Sequence, residues 1–296
     1  MKKKDPLVSI VVITYNSSKY VLETLESAKA QTYDNIELII SDDGSTDETL
    51  RICKDWLEKN KERFKYSKLI TVSKNTGIPA NCNRGVKASI GEWIKIIAGD
   101  DLLMNRCISI NYYHAKKTNK ALYYSKVHVF GNYGYLKRIT ENYNKVSKWF
   151  GKKNQIKMKK SYLRYPIMIN VPTFFIKAEV LKNLGYYDEQ FKLLEDQPFL
   201  IKLFLNNYEV EFINVTTVKY RHYESSVMNS SSNQFVKNLF DCYMIFARPN
   251  LKKNNIKDIF FRLYRDYSFK IYMKDKKMNF FESNVYRLKN IIYRFS

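Results

Sequence analysis

Four apolar runs, each ending in a cluster of polar residues, limit the folds open to this chain. Leu7–Ile13 reads Leu-Val-Ser-Ile-Val-Val-Ile and closes on Thr14-Tyr15-Asn16-Ser17-Ser18. Ile36–Ile40 closes on Ser41-Asp42-Asp43-Gly44-Ser45-Thr46-Asp47-Glu48. Leu69–Val72 leads to Asn75-Thr76-Gly77-Ile78-Pro79, and Trp93–Ile97 closes on Ala98-Gly99-Asp100-Asp101. Nearly unbroken branched runs are the pattern of strands buried on both faces. Between them apolar residues recur at helical spacing: Tyr20, Val21, Leu22, Leu25 and Ala28 after a Ser17 or Ser18 cap, then Leu50, Ile52, Trp56 and Leu57, then a helix from Ala80 to Ser89. Strands alternating with helices predict a doubly wound, mostly parallel sheet. The polar clusters then gather at the carboxyl ends of the strands, where open α/β sheets bind nucleotides.

The last cluster is the most demanding. Asp100 and Asp101 repel each other and resist desolvation at the end of a buried strand. A divalent cation carrying a diphosphate resolves both problems, and hard oxygen ligands suit Mg²⁺ or Mn²⁺. The plainer alternative is a turn followed by a helix N-cap. Neither GxGxxG nor GxxxxGK[ST] occurs, so a nucleotide here is read by carboxylates and a metal, not by a glycine-rich phosphate cradle.

Composition narrows the setting. At 296 residues and 45% apolar, the chain can build one large domain, or one domain with an appendage. Cys53, Cys82, Cys107 and Cys242 are widely spaced, as expected of reduced thiols in a cytoplasmic protein. The start carries no signal-peptide pattern, and no apolar run reaches 18 residues. The net charge of +22 is uneven: residues 1–120 hold 20 Lys and Arg against 15 acids, and residues 121–296 hold 31 against 14. A basic second half fits an anionic membrane surface, a phosphorylated substrate or nucleic acid, or is a Lys-, Asn- and Ile-rich bias with no partner.

The remaining chain is less regular. Ala121–Ser125 and Val127–Phe130 read as strand material, and Trp149 to Lys160 as a basic loop or exposed helix, either a solvated surface or a lid facing a membrane or acceptor. Pro172–Ile176 reads as a strand, and Ala178–Leu181 starts a helix stopped by Gly185. Glu195-Asp196-Gln197-Pro198 opens another helix, with Asp196 as a plain N-cap on local evidence alone. Val210–Val218 alternates like an edge strand, and helices rich in Phe, Tyr and Lys follow from Gln234.

Taken together, Val8 to Asn16, Ser41 to Asp47, Asn75-Thr76-Gly77 with Asn83-Arg84-Gly85, Gly91-Glu92-Trp93 with Gly99 to Leu102, and Leu184 to Glu189 with Glu195-Asp196 resemble the family 2 glycosyltransferases, inverting enzymes with the GT-A fold, of the bacterial surface-polysaccharide type. Order and spacing agree over residues 6–222. The resemblance implies a GT-A domain over residues 1–225 and a basic helical segment over residues 226–296. It implies that Thr14, Tyr15 and Asn16 line the nucleobase pocket, that Asp42 accepts a hydrogen bond from the base, and that Arg84 touches the nucleotide. Asp101 is the first choice for direct Mn²⁺ or Mg²⁺ contact, Asp100 lies on the ribose side and can share the metal, and His222 stands where a metal or diphosphate contact often falls. Asp196 would be the catalytic base. Two departures from the family pattern stand out: Ala98 replaces a frequent aspartate, and Asn81-Cys82-Asn83 replaces Ala-Arg-Asn.

A metal-held diphosphate and one base imply a single in-line displacement, hence inversion. The implied partners are a nucleotide-sugar donor, a UDP-sugar first, and a glycan or lipid-linked acceptor, with the enzyme peripheral at the inner face of the plasma membrane and no nucleic acid partner. The rival readings are a nucleic-acid-binding protein, suggested by charge, a nucleotidyltransferase, which needs no acceptor base, and an inactive sugar-nucleotide-binding relative, against which Asp100, Asp101 and Asp196 argue.

Overall fold

The computed structural model describes residues 5–132, 135–164, 169–222 and 233–275. Its centre is one eight-stranded sheet of order β3-β2-β1-β4-β7-β6-β8-β5. The strands are β1 (Val8–Thr14), β2 (Ile36–Asp42), β3 (Tyr66–Thr71), β4 (Trp93–Ala98), β5 (Leu102–Leu103), β6 (Leu122–Phe130), β7 (Phe175–Lys177) and β8 (Val210–Arg221). β1 lies between β2 and β4, with β3 beyond β2, all parallel. Every residue of β2 is buried, as its unbroken apolar run requires. Between these strands run α1 (Val21–Lys29), α2 (Thr49–Asn60) and α3 (Ile78–Lys87), in the expected order. The cap of α1 differs from expectation. No side chain caps it; the Ser17 carbonyl accepts the N–H groups of Tyr20 and Val21 at 2.9 Å.

The second half is more regular than its sequence suggested. It holds α4 (Cys107–Thr118), α5 (Leu136–Gly151), α6 (Gln155–Arg164), α7 (Ala178–Asn183) and α8 (Asp196–Leu205). The basic stretch 149–160 belongs to α5 and α6, and Phe150 and Met158 are buried in the core, which corrects the lid reading. Residues 171–173 form a 3₁₀ turn, leaving β7 only three residues. β8 is not an edge: it lies parallel to β6 and antiparallel to β5. Its alternation reports burial on one face, not position in the sheet.

Two apolar layers cover the sheet. Val8, Ile10, Val12, Leu38 and Ile40 face Leu25, Trp56 and Ile108 on one side. Val11, Ile39 and Ile94 face Val86, Leu181, Phe199 and Phe204 on the other. Cys242, Tyr243, Ala247 and Leu251 join that second layer, so the chain through α9 (Asn233–Cys242) and the turns after it shares the core of the sheet. Among the described residues the last helix is α10 (Ile256–Asp275). The domain boundary expected at 225/226 lies outside the described residues. All four cysteines are free and buried.

One pairing positions the site. Leu102 and Leu103, directly after the acidic pair, pair with Lys219 and Val218 of β8. This brings the Asp100-Asp101 turn against the Tyr220–His222 end of β8.

Candidate active site

The first polar edge is built by carboxylates that hold loops. Asp42 is fully buried, and its two oxygens accept from Thr14 Oγ1 (2.9 Å), Ser45 Oγ (2.5 Å), Gly44 N (3.0 Å), Ser45 N (2.9 Å) and Thr71 Oγ1 (3.2 Å). Those five donors fill the lone-pair capacity of a carboxylate. Both oxygens of Asp42, expected to accept from a base, are here engaged by the loop that follows β2 and by Thr14 and Thr71.

Asp43 does the same one residue on. It accepts from Thr76 N (3.0 Å), Thr76 Oγ1 (2.5 Å), Gly77 N (2.9 Å) and Arg84 Nη2 (2.8 Å). Burial pushes its carboxyl up, but these bonds outweigh that and hold it below the usual range. Arg84 also donates to Asn81 Oδ1 (3.1 Å) and Thr76 Oγ1 (3.2 Å). It was expected to touch the nucleotide, yet its guanidinium is engaged inward by its own chain and fastens α3 to the acidic loop.

Thr14 is buried, with its carbonyl accepting from Asp43 N (2.9 Å) and Asn81 Nδ2 (3.1 Å). Tyr15, directly after β1, is 47% exposed. Asn16 adopts a left-handed conformation (φ 49°), and its Oδ1 accepts from Thr46 N (2.9 Å). Asp47 braces the same junction through Ser18 N (3.1 Å) and Thr49 Oγ1 (2.5 Å). The Tyr15-Asn16 turn is thus preformed.

At the second edge, Asp101 is 1% exposed and Asp100 retains part of its surface. Asp101 Oδ1 accepts the Arg221 N–H at 2.8 Å, and its carbonyl accepts from Thr24 Oγ1 at 2.8 Å. Burial, then the neighbouring Asp100 charge, pushes the Asp101 carboxyl well above the usual range. Asp100 is the more accessible of the two carboxylates, and Asp101 the more buried. His222 follows on β8, its N–H donating to the Phe130 carbonyl at 2.8 Å. It does not complete a cluster; among the described residues no group of three or more His, Cys, Asp or Glu is arranged to hold an ion. One or two carboxylates, with the remaining positions left to phosphate and water, is nonetheless the donor set Mg²⁺ or Mn²⁺ takes in nucleotide enzymes. Asp100 and Asp101 fit it.

Asp196 opens α8, with Glu195 in the N-cap position and no side-chain capping bond. The expected N-cap role thus does not describe Asp196. Burial pushes both carboxyls up, and for Glu195 the Asp196 charge adds to it. Tyr220, near the end of β8, is a buried phenol. Burial raises its hydroxyl well above the ordinary value, and Asp101, Asp100 and Glu195 all lie within electrostatic reach of it.

Two residues escaped the sequence reading. Asn83 Nδ2 donates to the Tyr187 carbonyl (2.9 Å) and Glu189 Oε1 (2.8 Å), and its Oδ1 accepts from Tyr187 N (2.9 Å). It clamps α3 to the segment leading to Asp196. The Asn81–Asn83 departure from the family pattern therefore carries two structural clamps. Arg221 is the second: Nε donates to the Asp100 carbonyl (2.7 Å), Nη2 meets Glu23 (2.8 Å), and the guanidinium lies 4.1 Å from the Tyr20 ring and 4.4 Å from the Phe130 ring. No motif marks it, because β5–β8 pairing alone brings it to the site.

The model of glycosyl transferase family 2 matches residues 9–185. An uncharacterized glycosyltransferase of Rickettsia typhi is 29% identical over 78% of this chain and 68% of its own. The poly(ribitol-phosphate) beta-N-acetylglucosaminyltransferase TarP of Staphylococcus aureus is 27% identical over 94% of this chain and 83% of its own. The crystal structure of S. aureus TarS residues 1–349 in complex with UDP-GlcNAc shares the fold, with a TM-score of 0.64 at 20% identity, over 86% of this chain and 69% of that one. The observed architecture is the GT-A fold that the resemblance implied. With the family model spanning more than half of it, the chain belongs to glycosyl transferase family 2.

Proposed function

We propose that this glycosyltransferase inverts the anomeric centre of a nucleotide-diphosphate sugar, a UDP-sugar first, and transfers it to a glycan or lipid-linked saccharide of a surface polysaccharide. Asp100, Asp101 and Glu195 lie within electrostatic reach of the buried Tyr220 hydroxyl, with Asp196 next to Glu195 at the start of α8, and this supports the reading. The UDP-GlcNAc complex of TarS and the N-acetylglucosaminyl transfer named for TarP support the donor class.

The Tyr15-Asn16 turn offers a ring and backbone for the base, held in place by Asp42, Asp43 and Arg84. Asp100 and Asp101 are the residues that would hold Mg²⁺ or Mn²⁺, which when bound offsets the charge growing on the departing diphosphate. Asp196 takes the proton of the acceptor hydroxyl, help worth about 10²–10⁴-fold. Burial raises its carboxyl, which makes it a stronger base once ionised. No second carboxylate is placed as a nucleophile in this reading, so the donor's α linkage becomes β.

Nucleotide release from UDP-, GDP- and TDP-sugars, with Mn²⁺, Mg²⁺ or EDTA, tests it beside Asp100→Asn and Asp196→Asn. Slow release from one UDP-sugar, lost with EDTA and in Asp100→Asn, is the expected result. An α-linked product from an α-linked donor would sink the inverting mechanism, and EDTA-insensitive release would sink the metal.

A further inference from the structure

α10 is amphipathic in the wrong sense for a helix that merely covers a core. Its inward side carries paired charged groups beside Phe269, which stacks on Phe240. Asp258 is buried, accepting from Arg164 Nε at 2.6 Å and from Lys252 N at 2.9 Å. Asp266 pairs with Arg248 at 3.1 Å, and the Arg265 guanidinium lies 3.8 Å from the Tyr243 ring. Its outward side is apolar: Ile256 is 82% exposed, Leu263 67%, Tyr267 63%, and Ile259 and Phe260 are exposed with them. Spacings of three, four and seven residues put these five on one stripe. Met244 and Ile245, just before α10, are exposed as well. A contiguous apolar stripe facing water calls for a partner.

Charge selects the partner. Lys252, Lys253 and Lys257 stand exposed at the start of the stripe, while Asp258 and Asp266 are turned inward and paired. A second copy would bring +22 against +22. An anionic bilayer supplies both an apolar interior and opposite charge, and Ile, Phe, Leu and Tyr over a lysine margin is the make-up of an interfacial helix. We infer that α10 is the membrane-docking element of this protein, lying in the plane of an anionic lipid surface with Ile256, Phe260, Leu263 and Tyr267 inserted. The inference stands independently of the donor and of the inverting mechanism.

The test is co-sedimentation of the full chain with phosphatidylcholine vesicles containing none or one-third phosphatidylglycerol, across a salt series, for wild type, Leu263→Glu, and Ile256→Ser with Leu263→Ser. Both sites of change are exposed, and unchanged melting temperature and donor hydrolysis confirm an intact fold. The expected result is binding to anionic vesicles that weakens with salt, reduced about tenfold or more in both variants. Absence of binding to anionic vesicles at low salt overturns the inference. So does binding that the variants leave intact, which would assign it to basic surface elsewhere. Sedimentation velocity supplies the third outcome: a wild-type dimer that Leu263→Glu dissociates would make a second copy the occupant and also overturn it.

Discussion

The Arg221 N–H donates to Asp101 Oδ1 at 2.8 Å while the Arg221 side chain holds the carbonyl of Asp100 at 2.7 Å. One residue of β8 therefore grips both members of the acidic pair, 120 positions away in sequence. Arg221→Ala keeps the backbone bond but frees the turn, and a misplacement near 1 Å costs about 10²-fold in rate. We expect that loss in transfer, together with a higher concentration of Mn²⁺ for half-activity. Arg221→Lys should not rescue it, because a lysine has no fork to reach Asp100 and Glu23 while stacking on Tyr20. Metal titrations of both variants check this, and full activity in Arg221→Lys would contradict it.

Asp43 and Arg84 form an ion pair at 2.8 Å with both side chains largely buried. Removing one partner of such a pair strands the other, at about 3–5 kcal/mol. Asp43→Ala should therefore lose stability on that scale and lose nucleotide affinity with the Thr76-Gly77 loop. The sign with pH follows from a carboxyl held low in the folded state. Its stabilisation is present above the unfolded value near 4 and fades as pH falls through the depressed one. Melting curves of wild type and Asp43→Asn should thus converge toward acid pH.

These acids also show where a sequence stops being readable. β1 to β4 were legible because burial on both faces leaves an unbroken apolar run, and strand–helix alternation dictates where their ends gather. α4 was not, since Ser109, Asn111, Tyr112, Tyr113 and His114 mark no clear apolar stripe. β8 reads as an edge from sequence because alternation reveals a wet face but not a neighbour. The acidic clusters were visible as chemistry, yet their division of labour was not. Whether a carboxylate meets a ligand or a ring of backbone N–H groups depends on loop conformation, and Asp42 went to the loop. Asn83 and Arg221 act across 104 and 121 residues, distances that no local pattern encodes.

Lys95 lies wholly buried in β4, donating to the carbonyls of Pro172 and Phe174. Burial lowers its ammonium to about 8. The unfolded chain binds that proton more tightly, so charging Lys95 opposes folding below pH 8, and the penalty fades as pH rises toward the unfolded value near 10.4. Wild type should therefore gain stability relative to Lys95→Met between about pH 8 and 10. Denaturant titrations of both proteins across that range check it; a constant difference would show that Lys95 titrates alike in the folded and unfolded chain, its buried charge fully compensated.

Asp196 couples activity and stability with opposite signs. Burial pushes its carboxyl up to about 6. As a base it works only when ionised, so the transfer rate should fall as pH drops through that value. Its effect on folding runs the other way. A carboxyl raised above its unfolded value favours the folded state while protonated, and that contribution is lost as pH rises from about 4 through 6. Asp196→Asn removes the ionisation and keeps the shape. It should lower transfer by about 10²–10⁴-fold, abolish the acid limb of the rate profile, and melt higher than wild type above pH 6. Donor binding, measured by calorimetry without acceptor, should be unchanged. A variant that lost activity but melted lower at pH 8 would show that Asp196 holds α8 in place and that another group takes the acceptor proton.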